Sequence, residues 1–311
     1  MPRLILDTWE PITWNINVLG HEVWHDGSNI YHSAGSAARQ HQLNTQTNTW
    51  EVKTWNGFDR VSGDNVWFVN DNIYFCAATG SGSLQYALTK ETSTWDWYAW
   101  VGLAYMGGKY VWTDGTNIYY SENTSYQRVL DVATSTWNNK TWNGFTNIDA
   151  RNLWTDGTNY YYSNGTNEQY VLDAATSTWN VKNWNGFSDI VGIDVWTDGF
   201  YMYYSSGSTQ YVLDIATSTW NTKAWNGFTA FAGQYVWTDG EYYYYSNGNS
   251  QYRATGTPAP GPEPPVSNPV YVYTSGGWQK TRNIYKYEDG AWVNSALSMH
   301  ERENDSWKDK T

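Results

Sequence analysis

Short runs in which apolar and aromatic residues alternate with polar ones fill the chain from Leu4 to Arg253, broken by Gly, Asn, Asp and Ser. That alternation predicts half-buried β-strands, and no segment carries a helical period of any length. One stretch shows the elements. The run around Leu153-Trp154 predicts a strand a, and Thr155-Asp156-Gly157 a hairpin turn, since Asp-Gly accepts the positive φ of tight turns. Tyr160-Tyr161-Tyr162 predicts strand b, Asn164-Gly165 a turn, and Gln169 to Leu172 strand c. Asp173 to Ser177 is a polar turn, Thr178 to Trp184 predicts strand d, and Asn185-Gly186 begins a crossing to the next unit.

The same unit recurs. Tryptophan pairs spaced by five occur six times, at Trp9/Trp14, Trp50/Trp55, Trp95/Trp100, Trp137/Trp142, Trp179/Trp184 and Trp220/Trp225. A third follows each pair, at Trp24, Trp67, Trp112, Trp154, Trp196 and Trp237, so 18 of the 22 tryptophans are placed. The third tryptophans stand 41 to 45 residues apart. A period of about 40–50 residues with four short strands marks a propeller blade. The predicted fold is all-β, a six-bladed β-propeller over residues 1–256.

The glycine turn after Tyr162-Ser163-Asn164-Gly165, the Tyr170-Val171-Leu172-Asp173 run and Thr176-Ser177-Thr178-Trp179 resemble the kelch repeat and the galactose-oxidase-type propeller. The resemblance covers roughly residues 4–254. It departs from kelch where that family's paired glycines are here Asn-Gly, Ser-Gly or looser. It implies fold, not activity.

The last unit stops after Gln251-Tyr252-Arg253, which reads as strand c, while Trp9 and Trp14 form a pair without preceding strands. Leu4–Trp14 is therefore expected to supply strand d of the last blade, a 3+1 closure that leaves no open sheet edge at the seam. Residues 257–269 are Pro-rich and read as an extended linker. Residues 270–311 read as a small β module, with strands at Val270–Tyr273 and Ile284–Tyr287 and a short helix or disorder over 295–311. Its Gly277-Trp278 and Gly290-Ala291-Trp292 resemble small Trp-containing modules of phage structural proteins. A module this small calls for a partner or self-association, which makes it a candidate virion anchor or homo-oligomerisation element.

Charge narrows the partners. The net charge is −12, and residues 1–256 carry 12 basic and 23 acidic side chains. An acidic body argues against nucleic acid, which needs basic patches. No apolar stretch approaches a membrane span, and the N-terminus lacks the apolar core of a signal peptide. The expectation is synthesis in a host cytoplasm, followed by residence on a particle surface.

No catalytic constellation, metal set or cofactor motif stands out. Cys76 lies in a strand b and reads as a small buried hydrophobe. His21, His25, His32 and His41 crowd the first blade, but residues four apart along a strand stand too far apart for easy chelation. Asp26, Asp114, Asp156, Asp198 and Asp239 recur once per blade, which suits turn caps better than calcium ligands. The repeated tryptophans read as packing between sheets rather than a sugar-binding stack.

The units differ mainly on one face, that of the b–c turns and d–a crossings. Its b–c loops Ser33–Arg39 and Ala77–Ser83 are longer than Asn247-Gly248-Asn249. A constant scaffold with one variable face is how propellers build sites. The candidate ligand-binding residues are Arg39, Arg60, Tyr105, Lys109, Asp149, Arg151, Asp189 and Phe231. The expected function is that of a non-enzymatic bacteriophage surface protein (tail, fibre or head decoration) with a host glycan or receptor as ligand. Other virion proteins would be met through the C-terminal module. A glycan hydrolase or lyase and an intracellular kelch-type adaptor are the alternatives.

Overall fold

A computed structural model describes residues 4–258 apart from 70, 80–81, 104–105, 123–126 and 166–167, together with six short strands between Val270 and Asp309. Six antiparallel four-stranded blades stand in sequence order. Their a strands are Val23–His25, Val66–Val69, Val111–Thr113, Leu153–Thr155, Val195–Thr197 and Val236–Thr238, in blades I to VI. The seam closes as the sequence predicts. Leu4–Pro11 pairs antiparallel with Ser250–Pro258, from Leu4 opposite Pro258 to Pro11 opposite Tyr252. That pairing uses Thr257 and Pro258, so the last propeller strand runs two residues into the Pro-rich stretch.

Two boundaries differ from the reading above. Strand d ends earlier: Thr178–Val181 is the strand, and Trp184 lies beyond it. Ala77 to Ser83 does not form a long loop in blade II, because Ala77 pairs with Leu84, Ala78 with Ser83 and Thr79 with Gly82. Blade II thus extends its b–c hairpin where blade I has a loop carrying the 3₁₀ turn Ala37–Arg39.

The crossings do more than connect. Asn56–Gly57, Asn143–Gly144, Asn185–Gly186 and Asn226–Gly227 each pair in parallel with strand d of the following blade, adding an outermost strand. The glycine is required there. Gly57 has φ +74°, and a Cβ on it would lie 2.3 Å from the Trp95 carbonyl oxygen.

Each joint between blades closes on three repeat tryptophans. At the I/II joint, Trp24 stacks on Trp55 at 5.7 Å and meets Trp95 edge-on at 6.0 Å. Trp237, Trp14 and Trp50 form the corresponding triad at the VI/I seam, with Trp14 edge-on to Trp50 at 5.9 Å. The six triads account for all 18 repeat tryptophans, each buried. They are packing, as expected. At four joints a lysine lies over one triad ring, with Lys182 Nζ 4.5 Å from the Trp184 ring and 2.8 Å from Ser218 Oγ in the next blade. Gln169 adds a second tie, donating to the Ile190 carbonyl in the crossing, as Gln40, Gln127 and Gln210 do at their joints.

The turn aspartates cap their own hairpins. Asp156 Oδ1 accepts from the Thr158 and Asn159 amides, and Oδ2 from the Tyr161 hydroxyl at 2.8 Å. The set repeats at Asp26, Asp114, Asp198 and Asp239.

The C-terminal region forms three hairpins: Val270–Thr274 with Gly277–Thr281, Tyr285–Glu288 with Ala291–Asn294, and His300–Glu303 with Ser306–Asp309. Within 295–311, where a short helix or disorder is expected, the described residues are the strands His300–Glu303 and Ser306–Asp309. The linker from 259 to 269 lies outside the described residues. Among the described residues no helix is long and apolar enough to cross a membrane.

Candidate functional site

Every strand a is entered through one short 3₁₀ turn: Gly20–Glu22, Gly63–Asn65, Gly108–Tyr110, Ala150–Asn152, Gly192–Asp194 and Gly233–Tyr235. Each packs against the turns of both neighbouring blades, so the six form a closed ring at the b–c mouth of the propeller axis. The approach is too close for a side chain. A Cβ on Gly63 would lie 2.1 Å from the Glu22 carbonyl oxygen, and one on Gly20 would lie 2.0 Å from that of Tyr235. Ala150 alone opens its turn with a methyl group.

The first position of each turn is thus held by backbone contact, while the next two vary. They read His21-Glu22, Asp64-Asn65, Lys109-Tyr110, Arg151-Asn152, Ile193-Asp194 and Gln234-Tyr235. Their charges separate around the ring. On the III/IV side, the Arg151 guanidinium lies 5.3 Å from the Tyr110 ring and 2.6 Å from Asp149 Oδ2. Lys109 Nζ lies 5.5 Å from the same ring. Asp149 also accepts from the Arg151 amide at 3.0 Å, which fixes the turn and the guanidinium together.

The I/II side is acidic. Glu22 Oε2 accepts from the Gly63 amide at 2.6 Å, and Ser62 Oγ lies 2.9 Å from the same oxygen. Ser62 Oγ also lies 2.5 Å from Asp64 Oδ1. One hydroxyl hydrogen cannot serve two carboxylates, so a proton on Glu22 completes the chain by donating to Ser62. Burial, with Asp64 adding repulsion, pushes the Glu22 carboxyl up to about 7. Burial lowers the neighbouring His21, opposed by Asp64 and assisted by Lys109. The His21 ring lies 5.3 Å from that of Tyr235 across the seam.

Of the eight residues predicted from sequence, the ring brings together Lys109, Asp149 and Arg151. Arg39, Arg60 and Asp189 are exposed on loops and crossings of the same face. Tyr105 lies outside the described residues. Phe231 is a correction: it is 1% exposed and packs 4.9 Å from Trp9 in the V/VI core. Its counterparts Val61, Ile148 and Ile190 are equally buried, so the position belongs to the repeat and not to the variable surface. Asp149 is buried as well, and its role is to hold Arg151.

Sequence reasoning missed Glu22, Tyr110, Asp194 and Tyr235. A signal was present: Gly-x-x-Val-Trp recurs before strand a in five of six units, with Ala150-Arg151-Asn152-Leu153-Trp154 in the other. Among the described residues no three His, Cys, Asp or Glu side chains converge as a metal site. His32 is buried, and its Nε2 accepts from the Leu19 amide at 3.2 Å. Burial, aided by His41 and His21, holds its pKa down to about 3, so it is neutral. A groove of about 290 Å³ at the rim of blade I, lined by Gln42, Asn44, Glu51 and Val52 among others, lies at the opposite end of the blade.

No family model and no curated protein matches this chain. Solved structures are similar in shape. The extracellular domain of a hybrid two-component system from B. thetaiotaomicron is 14% identical with a TM-score of 0.46, covering 87% of this chain and 40% of that one. YCF48 bound to a D1 peptide is 12% identical with a TM-score of 0.46, covering 90% of this chain and 86% of that one. The computationally designed Ika8 protein is 10% identical with a TM-score of 0.42, covering 79% and 74%. The chain thus spans less than half the length of the first of these.

Proposed function

We propose that this kelch-like propeller is a non-enzymatic recognition module whose ligand meets the 3₁₀ ring and the b–c loops around it. The observation that carries the reading is the ring itself, where five first positions are confined to glycine while the second position differs in every blade and no two blades share the same pair at the second and third. Paired arginine and aromatic groups such as Arg151 over Tyr110 suit hydroxyl-rich or acidic ligands. The setting proposed is a bacteriophage particle, with a host-surface glycan as ligand. The C-terminal hairpins would contact other virion proteins or further copies of the chain. The acidic body fits neutral or cationic ligands better than nucleic acid.

Two experiments test this reading. Mass spectrometry of purified particles should find the chain, and its absence from every particle ends the virion assignment. Joint alanine substitution of Arg60, Lys109 and Arg151 should weaken attachment to host cells at least about tenfold, the scale of one lost charged contact. Unchanged attachment removes this face from the reading.

The hydrolase alternative has one observation in its favour, the Glu22 and Asp64 carboxylates sharing Ser62. Both are engaged in closing the ring at the I/II joint, and we assign them that structural role. Release of reducing sugar from host polysaccharide, lost in E22Q and D64N variants that still fold, would reverse the assignment.

A further inference from the structure

Of the 19 tryptophans up to residue 256, the repeat places 18, and Trp97 is the remaining one. It is also the exposed one, at 73%, whereas the repeat tryptophans are all buried. At its position in strand d the other blades carry Pro11, Val52, Asn139, Val181 and Thr222. A large aromatic in water there contributes nothing to the core.

Its surroundings define a shelf. Trp97 sits directly opposite Tyr86 in the blade II sheet. Phe58 lies flat on Tyr86, with centroids 4.4 Å apart and planes 14° off parallel, a stack that Phe145/Tyr170, Phe187/Tyr211 and Phe228/Tyr252 repeat, so Trp97 is what sets this joint apart. Phe58 and Tyr86 are both half-buried. Phe58 leads into the exposed pair Asp59 and Arg60 on the crossing from blade I. A largely exposed indole therefore stands opposite this stacked pair in the strand register, and the crossing beside it carries one carboxylate and one guanidinium.

We infer that Trp97, standing opposite the Phe58/Tyr86 stack, is the platform of a carbohydrate-stacking subsite at the I/II joint, taking the apolar face of a neutral pyranose. Asp59 and Arg60 are placed to meet its hydroxyls. This inference rests on the glycan reading above and adds a second contact point outside the axial ring. A sugar ring needs one flat platform with polar neighbours. A protein partner needs a clustered apolar patch of several hundred Å² around a hot spot, and here a single indole stands among charged residues. Stacking nucleobases is disfavoured by the acidic body, which repels their phosphates.

The test uses the full chain and a printed panel of neutral oligosaccharides built from glucose, galactose, mannose, rhamnose and N-acetylglucosamine, with hits titrated by calorimetry. W97A should weaken the best hit at least about tenfold, and W97F should stay within about threefold of wild type, since a benzene ring still stacks. Bound sugar should also shield the indole from acrylamide quenching in wild type. Melting curves should nearly coincide, because Trp97 is largely exposed. Wild-type binding with W97A unchanged overturns the subsite and leaves the glycan reading standing. No neutral glycan bound by wild type overturns the subsite, and the glycan reading is then decided by the host-attachment experiment above. Loss of a protein partner in W97A, without glycan binding, replaces the subsite by a protein contact.

Discussion

The Trp67 indole N–H donates to Cys76 Sγ at 3.3 Å, in the place where the other five blades use a serine. Trp24 donates to Ser33 Oγ at 3.0 Å, Trp112 to Ser121, Trp154 to Ser163, Trp196 to Ser205 and Trp237 to Ser246. The single cysteine is thus a repeat position filled by sulfur. Replacing Cys76 by Ser should cost less than ~1 kcal/mol in urea unfolding. Replacing it by Ala strands a buried indole N–H and should cost about 1–3 kcal/mol. Burial pushes the thiol up to about 12, so native protein should resist thiol reagents until it unfolds.

The ring of 3₁₀ turns should be intolerant of a methyl group at five of its six first positions. G63A forces Cβ against the Glu22 carbonyl and should destabilise the fold by about 1–3 kcal/mol, the usual cost of overpacking. A150G, at the one turn already built on alanine, should change stability by less than about 1 kcal/mol. Denaturant titration of the two variants checks the contrast.

The turn aspartates should act through hydrogen bonds alone. D156A removes the acceptor for two amides and the Tyr161 hydroxyl, and should cost about 1–3 kcal/mol. EDTA should leave the melting temperature of the wild type unchanged. A calcium-dependent shift would show that these turns bind metal.

Glu22 should impose a pH dependence of stability. Its carboxyl titrates at about 7 in the folded protein, against an ordinary value of 4.5. Between those values the folded chain holds a proton that the unfolded chain releases, so Glu22 lowers stability as pH rises from 4.5 to 7, by at most ~3 kcal/mol. His32, held down to about 3, works in the opposite sense and lowers stability as pH falls below 6.5. E22Q keeps the hydrogen bonds of the protonated acid. Its melting temperature should exceed that of wild type by a margin that grows from pH 4.5 to 7 and is constant above.

Residues such as Trp154, Asp156 and Gln169 could be read from the sequence because each blade presents the same environment six times, and repetition exposes which side chains the packing demands. The same comparison, carried to the crossings, would have placed Phe231 with Val61 and Ile190 in the core. The pairing of Asn185–Gly186 with the next blade was harder to see, since a two-residue strand has no alternation to reveal it.

By itself the sequence determined the blade number, the 3+1 seam that joins the segment around Trp9 to that around Tyr252, and the buried tryptophans. These follow from periodicity, which is a local property of the chain. Only the tertiary structure decided that six turns far apart in sequence meet in one ring, that Glu22 shares Ser62 with Asp64, and that Trp97 faces water. Those depend on closing the circle, because each turn acquires its neighbours only when blade VI returns to blade I. Cys76 belongs to both sets: its strand was legible, but its bond to Trp67 required the fold.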